Sequence, residues 1–333
     1  MRCSAFPHDP FRRHLIKKFH LFFTVVLALA LPMSAAAQNF PQRLVRIVSP
    51  YPVGGTGGVV GSMLAERLQQ IWGQPVIMET KAGAGGVIGA TFVARSPPDG
   101  HTLVLIDNGP ITVAPHTAIV SMSIDPMKEL VPVVEVIQLA PVVAVRKALG
   151  INSMKELAAT IKAKPGTLTN AVSAQGGYVQ LASSALAKMA GGSMMDVPYQ
   201  GAGPALMDFM GGRVDVMLVA LNVVAQYESQ GSFKIVGVVT ESPIDLRPDL
   251  PTVNQVLPLS ISAWFGLFAP AGTPDNVLEK INRDVTAVLN EPAFEEFRKK
   301  NMMLKAKTSN RKDFVEKVRA DYAIWGRLAR EIK

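Results

Sequence analysis

The chain has 333 residues and a single cysteine, with 34 lysines and arginines against 26 aspartates and glutamates, a net charge of +8. The first 37 residues hold Arg2, Arg12, Arg13, Lys17 and Lys18 against Asp9 alone, so 29 basic and 25 acidic residues remain beyond them, a charge of +4. No basic stripe with interleaved aromatics runs through that remainder, which argues against a nucleic-acid partner. Cys3 is the lone cysteine. The other residues, about 295 of them, need no disulfide to bury a large core.

Residues 1–37 read as a secretory leader. A basic segment precedes the apolar run Leu21 to Leu31, which is shorter than the roughly 20 residues of a membrane span. Pro32 ends the run, and Ala35-Ala36-Ala37 offers small residues for cleavage before Gln38. Cys3 lies ahead of the apolar run and cannot be a lipidated cysteine following it. The expected product is a soluble periplasmic protein.

After the leader, strands and helices alternate. Leu44-Val45-Arg46-Ile47-Val48 reads as a strand, followed by the loop Ser49-Pro-Tyr-Pro-Val-Gly-Gly-Thr-Gly-Gly58. A helix is predicted from about Val59 to Trp72, with Val60, Leu64, Leu68 and Ile71 on one face and Gly73 at its end. Strand 75–79, the second glycine loop Ala82-Gly-Ala-Gly-Gly86 and helix 87–95 repeat the pattern. The turn Ser96 to Gly100 leads to strand 102–106 and then Asp107-Asn108-Gly109. Leu130 to Val145 is an apolar stretch broken by Pro132 and Pro141, which predicts two strands meeting at Pro141, as in a crossing between lobes. Helix 153–163, strand 168–173, the loop Ala174 to Tyr178 and helix 179–190 come next. Strand 196–199, the loop Gln200-Gly-Ala-Gly203, helix 204–210 and strands 214–219 and 234–239 complete the middle region. Trp264 to Pro270 is a second apolar crossing. Thr273 is expected to cap a helix with the buried stripe Val277, Ile281, Val285 and Val288. A last helix follows Ser309 and carries Phe314, Val318, Tyr322 and Trp325. This alternation predicts an α/β fold with parallel sheets, and the echo between its halves predicts two lobes of similar construction.

Catalytic motifs are nearly absent. Beyond the leader the histidines are His101 and His116, far from any ligand cluster, so neither a metal nor a cofactor site is expected. Ser309-x-x-Lys312 reads as a polar helix start, and Gly83-x-Gly85 with Gly89 matches a dinucleotide fingerprint poorly, its third glycine one place late. The glycine loops offer something else. Each ends a strand and opens a helix, leaving backbone N–H groups aimed at one place, which suits an anion. Gly55 is expected to need its missing Cβ, for close approach of a ligand or for a positive φ.

Together the residues carry a resemblance. Tyr51-Pro-Val-Gly-Gly55, Gly73-Gln-Pro-Val76, Gly83-Ala-Gly-Gly86 with Ile88-Gly89, and Pro98-Asp-Gly100 with Thr102-Leu103 occur in order. Val197-Pro-Tyr199 with Gly201, Pro204-Ala-Leu206, Gly211-Gly212 with Val214-Asp215, Leu250-Pro-Thr-Val253 and Trp264 to Pro274 follow. The set resembles the Bug family, the periplasmic solute-binding proteins of tripartite tricarboxylate transporters, over residues 40–333. The resemblance implies a two-lobed, hinged periplasmic-binding-protein fold of type II character, each lobe a mixed sheet flanked by helices. It divides the chain into leader 1–37, lobe 1 at 38–140 plus 259–333, and lobe 2 at 141–258. It also implies a small organic acid as ligand, membrane transporter subunits as partners, a monomer, and no enzymatic activity. By the same resemblance the ligand contacts are Tyr51, Gly54, Gly55, Thr56, Gly57, Gly58, Asn108 and Gly109 from lobe 1. Lobe 2 would add Ser173, Gln175, Gly176, Gly177, Tyr178, Tyr199, Gly201, Ala202 and Thr240.

The chain departs from the family's habit at Gly58 and Val219, where aspartates are usual, and at Ser62, Gln180, Ser184 and Ala82. Loss of an aspartate at 58 would remove a helix N-cap, and a less charged far end favours a monocarboxylate or aromatic acid at least as much as citrate. An exported enzyme using the same cleft is argued against by the sparse histidine content. A sensor presenting its liganded surface to a membrane receptor has the same sequence requirements as a transport receptor.

Overall fold

Two β-sheets carry the chain in the computed structural model, which describes residues 40–52, 54–117, 121–173, 175–308 and 310–332. The leader read at 1–37, and Ser309 of the Ser-x-x-Lys match, lie outside those residues. The strands are β1 (Val45–Ser49), β2 (Val76–Thr80), β3 (Thr102–Asp107), β4 (Leu130–Gln138), β5 (Pro141–Arg146), β6 (Thr169–Val172), β7 (Met195–Pro198), β8 (Val216–Ala220), β9 (Phe233–Val238), β10 (Trp264–Pro270) and β11 (Leu304–Lys305). The helices of eight residues or more are α1 (Thr56–Trp72), α2 (Val87–Ala94), α3 (Met154–Ala163), α4 (Tyr178–Met189), α5 (Ala202–Met210), α6 (Asp275–Leu289), α7 (Pro292–Lys300) and α8 (Arg311–Ile332).

The first sheet runs β11-β4-β10-β3-β1-β2, and the second β7-β6-β8-β5-β9. Both are mixed. β1 is parallel to β2 and β3, but β10 is antiparallel to β3 and β4. β6 is parallel to β7 and β8, but β5 is antiparallel to β8 and β9. The mixed sheets are those the resemblance implies, and they differ from the parallel sheets that alternation alone predicts for a physical reason. A continuous apolar run shows that both faces of a strand are covered, not which way the strand points. The reversed strands are β10 and β11 in the first sheet and β5 in the second, and β10 and β5 are the strands that the two crossings between the sheets enter.

The sheets belong to two lobes, each flanked by helices. The chain leaves the first sheet through Leu139 and Ala140 and returns through residues 239–263. The two crossings run side by side: the Leu139 N–H donates to the Ala263 carbonyl at 2.9 Å, and the Val239 N–H donates to that of Pro141, where the outward crossing enters β5, at 2.7 Å. In the first lobe Trp264, Phe268 and Phe314 form an aromatic cluster, with Phe314 edge-on to Trp264 at 5.2 Å. The second lobe packs Ala171, Leu206, Phe209 and Met217 against β5 and β9.

Helix caps differ from expectation at two ends. Thr273 does not cap α6: its hydroxyl donates to the Pro270 carbonyl at 2.8 Å, and Pro274 stands at the cap position. The start of α8 is satisfied by Asn310, whose Oδ1 accepts the Asp313 N–H at 2.9 Å. The α3 end is a reciprocal box in which Ser153 accepts the Glu156 N–H at 3.2 Å and Glu156 accepts the Asn152 N–H at 2.7 Å. Ser153→Ala is therefore expected to lower stability by about 1 kcal/mol, measured by urea denaturation.

Candidate functional site

Three helices begin at one cavity. Its volume is about 530 Å³, and both lobes line it. Each helix starts earlier than its apolar periodicity shows: α1 at Thr56 rather than Val59, α4 at Tyr178 rather than Val179, α5 at Ala202 rather than Pro204. The N-cap residues are Gly55, Gly177 and Gly201. None provides a capping side chain, and none of the three first turns contains an acid. The contrast with α3, capped by Ser153 and carrying Glu156 in its first turn, is direct. Glycine caps leave the first N–H groups free of side-chain acceptors, and the aligned peptide dipoles make each end partly positive. Three such ends around one cavity favour a negative group there.

Of the lobe 1 candidates, Tyr51, Gly54, Gly55, Thr56, Gly57 and Gly109 line the cavity, and of lobe 2, Ser173, Gly177, Tyr178, Gly201 and Ala202. Thr56 also ties the lobes together, its Oγ1 accepting from Asn222 Nδ2 at 2.7 Å. Gly57 serves packing as well: a Cβ there would stand 2.9 Å from the Phe265 ring.

Six candidates lie off the cavity lining. Gly58 is inside the first turn of α1 with open space where a side chain would go. An aspartate there would be a first-turn acid, not the N-cap that the sequence reading assigned, because the cap falls at Gly55. Asn108 is fully buried and donates to the Ser262 carbonyl at 3.1 Å, pinning the end of β3 to the return crossing. Gln175 lies against the second glycine loop, its carbonyl 2.9 Å from where a Cβ on Gly85 would stand. Gly176 donates its N–H to Gln180 Oε1 at 2.9 Å. The Tyr199 hydroxyl donates to Asp208 at 2.9 Å, and that of Thr240 to the Ser242 carbonyl at 2.7 Å. Gly55 needs no unusual backbone: its φ is −78°, and a Cβ would meet only the Pro52 carbonyl at 3.6 Å. The positive φ belongs to Gly54, at 92°.

The second glycine loop reaches the cavity only through Gly85. Lys81 beside it pairs with Glu79 at 2.8 Å and stacks over Phe92. Val219, at a position where the resemblance makes an aspartate usual, lines the wall as an apolar residue.

One of the lining residues outside the contact set implied by the resemblance carries a charge. Asp107 ends β3 and is the sole charged side chain lining the cavity among the described residues. Side chains alternate along a strand, so Asp107 reaches the cavity while Asn108 turns into the protein. The signal available in the sequence was its place at the carboxyl end of a strand, where α/β sheets gather ligands. Asp107 Oδ1 accepts the Gly109 N–H at 2.8 Å. Burial raises its pKa to about 6, against the pull of Tyr51 and the Gly109 N–H. The same burial, and the nearby Asp107 charge, push the Tyr51 and Tyr178 hydroxyls above their ordinary range. The Tyr51 hydroxyl is buried and makes no hydrogen bond of ordinary geometry.

Among the described residues no group of three or more His, Cys, Asp or Glu side chains could hold a metal, and no helix is long and apolar enough to cross a membrane. The family model described as TctC, tripartite tricarboxylate transporter family receptor, matches residues 60–333. The chain is 30% identical to protein BugT of Bordetella pertussis, over 81% of this chain and 83% of that one. It is similar to the solved structure of an R. palustris protein with adipate, at 27% identity and a TM-score of 0.82, covering 88% of this chain and 98% of that one. A second solved structure, MatC from Rhodopseudomonas palustris with bound malate, is 26% identical with a TM-score of 0.80, covering 87% and 100%. The structure of periplasmic binding protein BugD is similar as well, at 29% identity and a TM-score of 0.79, covering 88% of this chain and 98% of that one.

Proposed function

Because the chain belongs to the tripartite tricarboxylate transporter receptor family, we propose that it captures a small organic carboxylate between its lobes and delivers it to a membrane transporter of that type. The observation that carries this reading is the set of three glycine-capped helix starts around one cavity that, among the described residues, is lined by no basic side chain. A carboxylate held there gains from each partly buried helix end by about 0.3–2 kcal/mol without needing an arginine. The apolar wall at Val219, Leu206 and Val223 suits the carbon skeleton of such a ligand. The adipate and malate bound to similar proteins support the same ligand class.

In this reading, residues 38–140 with 259–333 and residues 141–258 are the two lobes, the paired crossings are the hinge, and a monomer is the working form. Residues 1–37 direct export and are cleaved before Gln38. The ligand contacts are the lining members of the candidate set, from Tyr51 and Gly54–Gly57 to Gly201 and Ala202.

The test is a thermal-shift screen of the purified chain from Gln38 onward against aliphatic, hydroxylated and aromatic mono-, di- and tricarboxylates. A ligand at about 100 times its Kd stabilises the folded state by roughly 2.7 kcal/mol, which raises the melting temperature visibly. A panel in which no acid raises it overturns the reading.

A further inference from the structure

Asp107 is out of place in a pocket built for an anion. Two of the cavity's Gly-capped helix starts, α1 and α5, rise from loops that carry no acid near the lining. Asp107 comes from a different element, the end of β3, and lies beside the start of α4. A Cβ on Gly109 would lie 2.9 Å from Asp107 Oδ1 and 3.6 Å from the Cα of Gly177. The carboxylate has no ion-pair partner among the described residues. The groups that face it are the hydroxyls of Tyr51 and Tyr178 and the N–H of Gly109. Among the described residues no lysine, arginine or histidine lines the cavity.

A carboxylate half-buried in a cavity wall without a counter-charge is less favourable than one in water unless a partner arrives. A second carboxylate on the ligand would worsen its position, and a plain apolar end would leave it as it is. A protonated amine would offset it. The surroundings suit that group too. Phe265 is paired in register with Asp107 across β10 and β3, and its ring meets that of Tyr51 edge-on at 6.1 Å. Aromatic rings flanking a carboxylate attract a cation through their faces.

We infer that Asp107 is a specificity-determining residue that pairs with an ammonium group on the ligand, so that the preferred ligand is an amino-carboxylate whose carboxylate sits at the α1 and α5 starts and whose amine reaches Asp107. The inference rests on the carboxylate-binding reading above and narrows it to a zwitterion. It also sets the direction of pH dependence. Asp107 must be ionised to hold the amine, and its pKa of about 6 in the free protein places the loss of amine binding below that pH. A second ligand carboxylate is repelled by the ionised form, so its binding changes in the opposite sense.

The test is calorimetric titration of the chain from Gln38 with matched sets: 4-aminobutyrate, butyrate and succinate; 5-aminovalerate, valerate and glutarate; 4-(aminomethyl)benzoate, 4-methylbenzoate and terephthalate. In at least one set the amino acid is expected to bind at pH 8 at least about tenfold more tightly than both partners. That preference is expected to fall by about tenfold at pH 5, one unit below the Asp107 titration. Asp107→Asn should remove the preference and its pH dependence while plain acids still bind. The pH comparison on the parent chain stands even where the variant fails to fold. Plain acids that bind as well as their amino partners at both pH values overturn this inference and leave the carboxylate reading intact. Failure of every compound in all three sets, together with a silent acid screen, overturns both.

Discussion

Lys317→Met is expected to destabilise the protein by about 3–5 kcal/mol, the cost of leaving a buried charge without its partner. Glu135, on β4, is fully buried, and Lys317, on α8, pairs with its Oε1. The rest of the carboxylate is also satisfied: Oε2 accepts the Thr308 N–H and hydroxyl at 2.9 Å each and the Lys307 N–H at 3.2 Å, and Oε1 accepts from Gln138 Nε2 at 3.0 Å. Those hydrogen bonds come from neutral groups and cannot offset the charge once the ammonium is gone. Asp321 lies close by, accepting from the Trp264 indole, and its pKa is raised by burial and then by Glu135. Removing Lys317 would therefore leave two acids facing each other. The double variant Glu135→Gln with Lys317→Met is expected to recover most of the loss, because the amide oxygen still accepts from Thr308. Urea denaturation of the two variants and the parent decides this, and a single-variant cost under about 1 kcal/mol would show that the pair is not what holds α8 to β4.

The network sits at the base of the hinge. Gln138 is the last residue of β4 before the outward crossing, and Trp264 is the first of β10 after the return. None of this was visible in the sequence, where Glu135 interrupts an apolar run and Lys317 is one of many cations on a polar helix face. Partners 182 positions apart leave no local trace. The strands themselves were legible, because β-branched and apolar runs such as Val142 to Val145 have few other uses. Their directions were not. Helix bodies were legible from Leu64 and Leu68 or from Val277 and Ile281, whereas the starts that matter most were missed. Glycine has low helix propensity and contributes nothing to an apolar stripe, so Gly57, Gly58 and Gly203 read as loop although they stand inside helices. The loops after β1, β6 and β7 were recognised as places where backbone could meet an anion. Which residue faces inward depends on one-residue shifts of phase: at the end of β3 the resemblance implies Asn108, whereas the side chain that lines the cavity is that of Asp107. Thr240 and Tyr199 lie off the lining for a different reason: each satisfies its hydroxyl locally, on Ser242 and Asp208.

The phase of those helix starts can be tested by charge. Ala202 is the first residue of α5 and lines the cavity. Ala202→Asp places a carboxylate where the helix end is partly positive. An acid in a first turn stabilises a helix by about 0.3–1 kcal/mol, so the unliganded protein should melt no lower than the parent. Binding should move the opposite way. Two like charges about 4 Å apart repel by about 4 kcal/mol at an effective dielectric near 20, and the new carboxylate also takes up N–H groups that the ligand would use. Affinity for a carboxylate that binds the parent is expected to fall at least thirtyfold, about 2 kcal/mol. Ala202→Asn has nearly the same shape without the charge and is expected to bind within about threefold of the parent. Calorimetry on the three proteins separates charge from bulk. Equal binding by the Asp and Asn variants would mean that the ligand carboxylate is not held at the start of α5, and the glycine cap at Gly201 would then be explained by its positive φ of 118° alone.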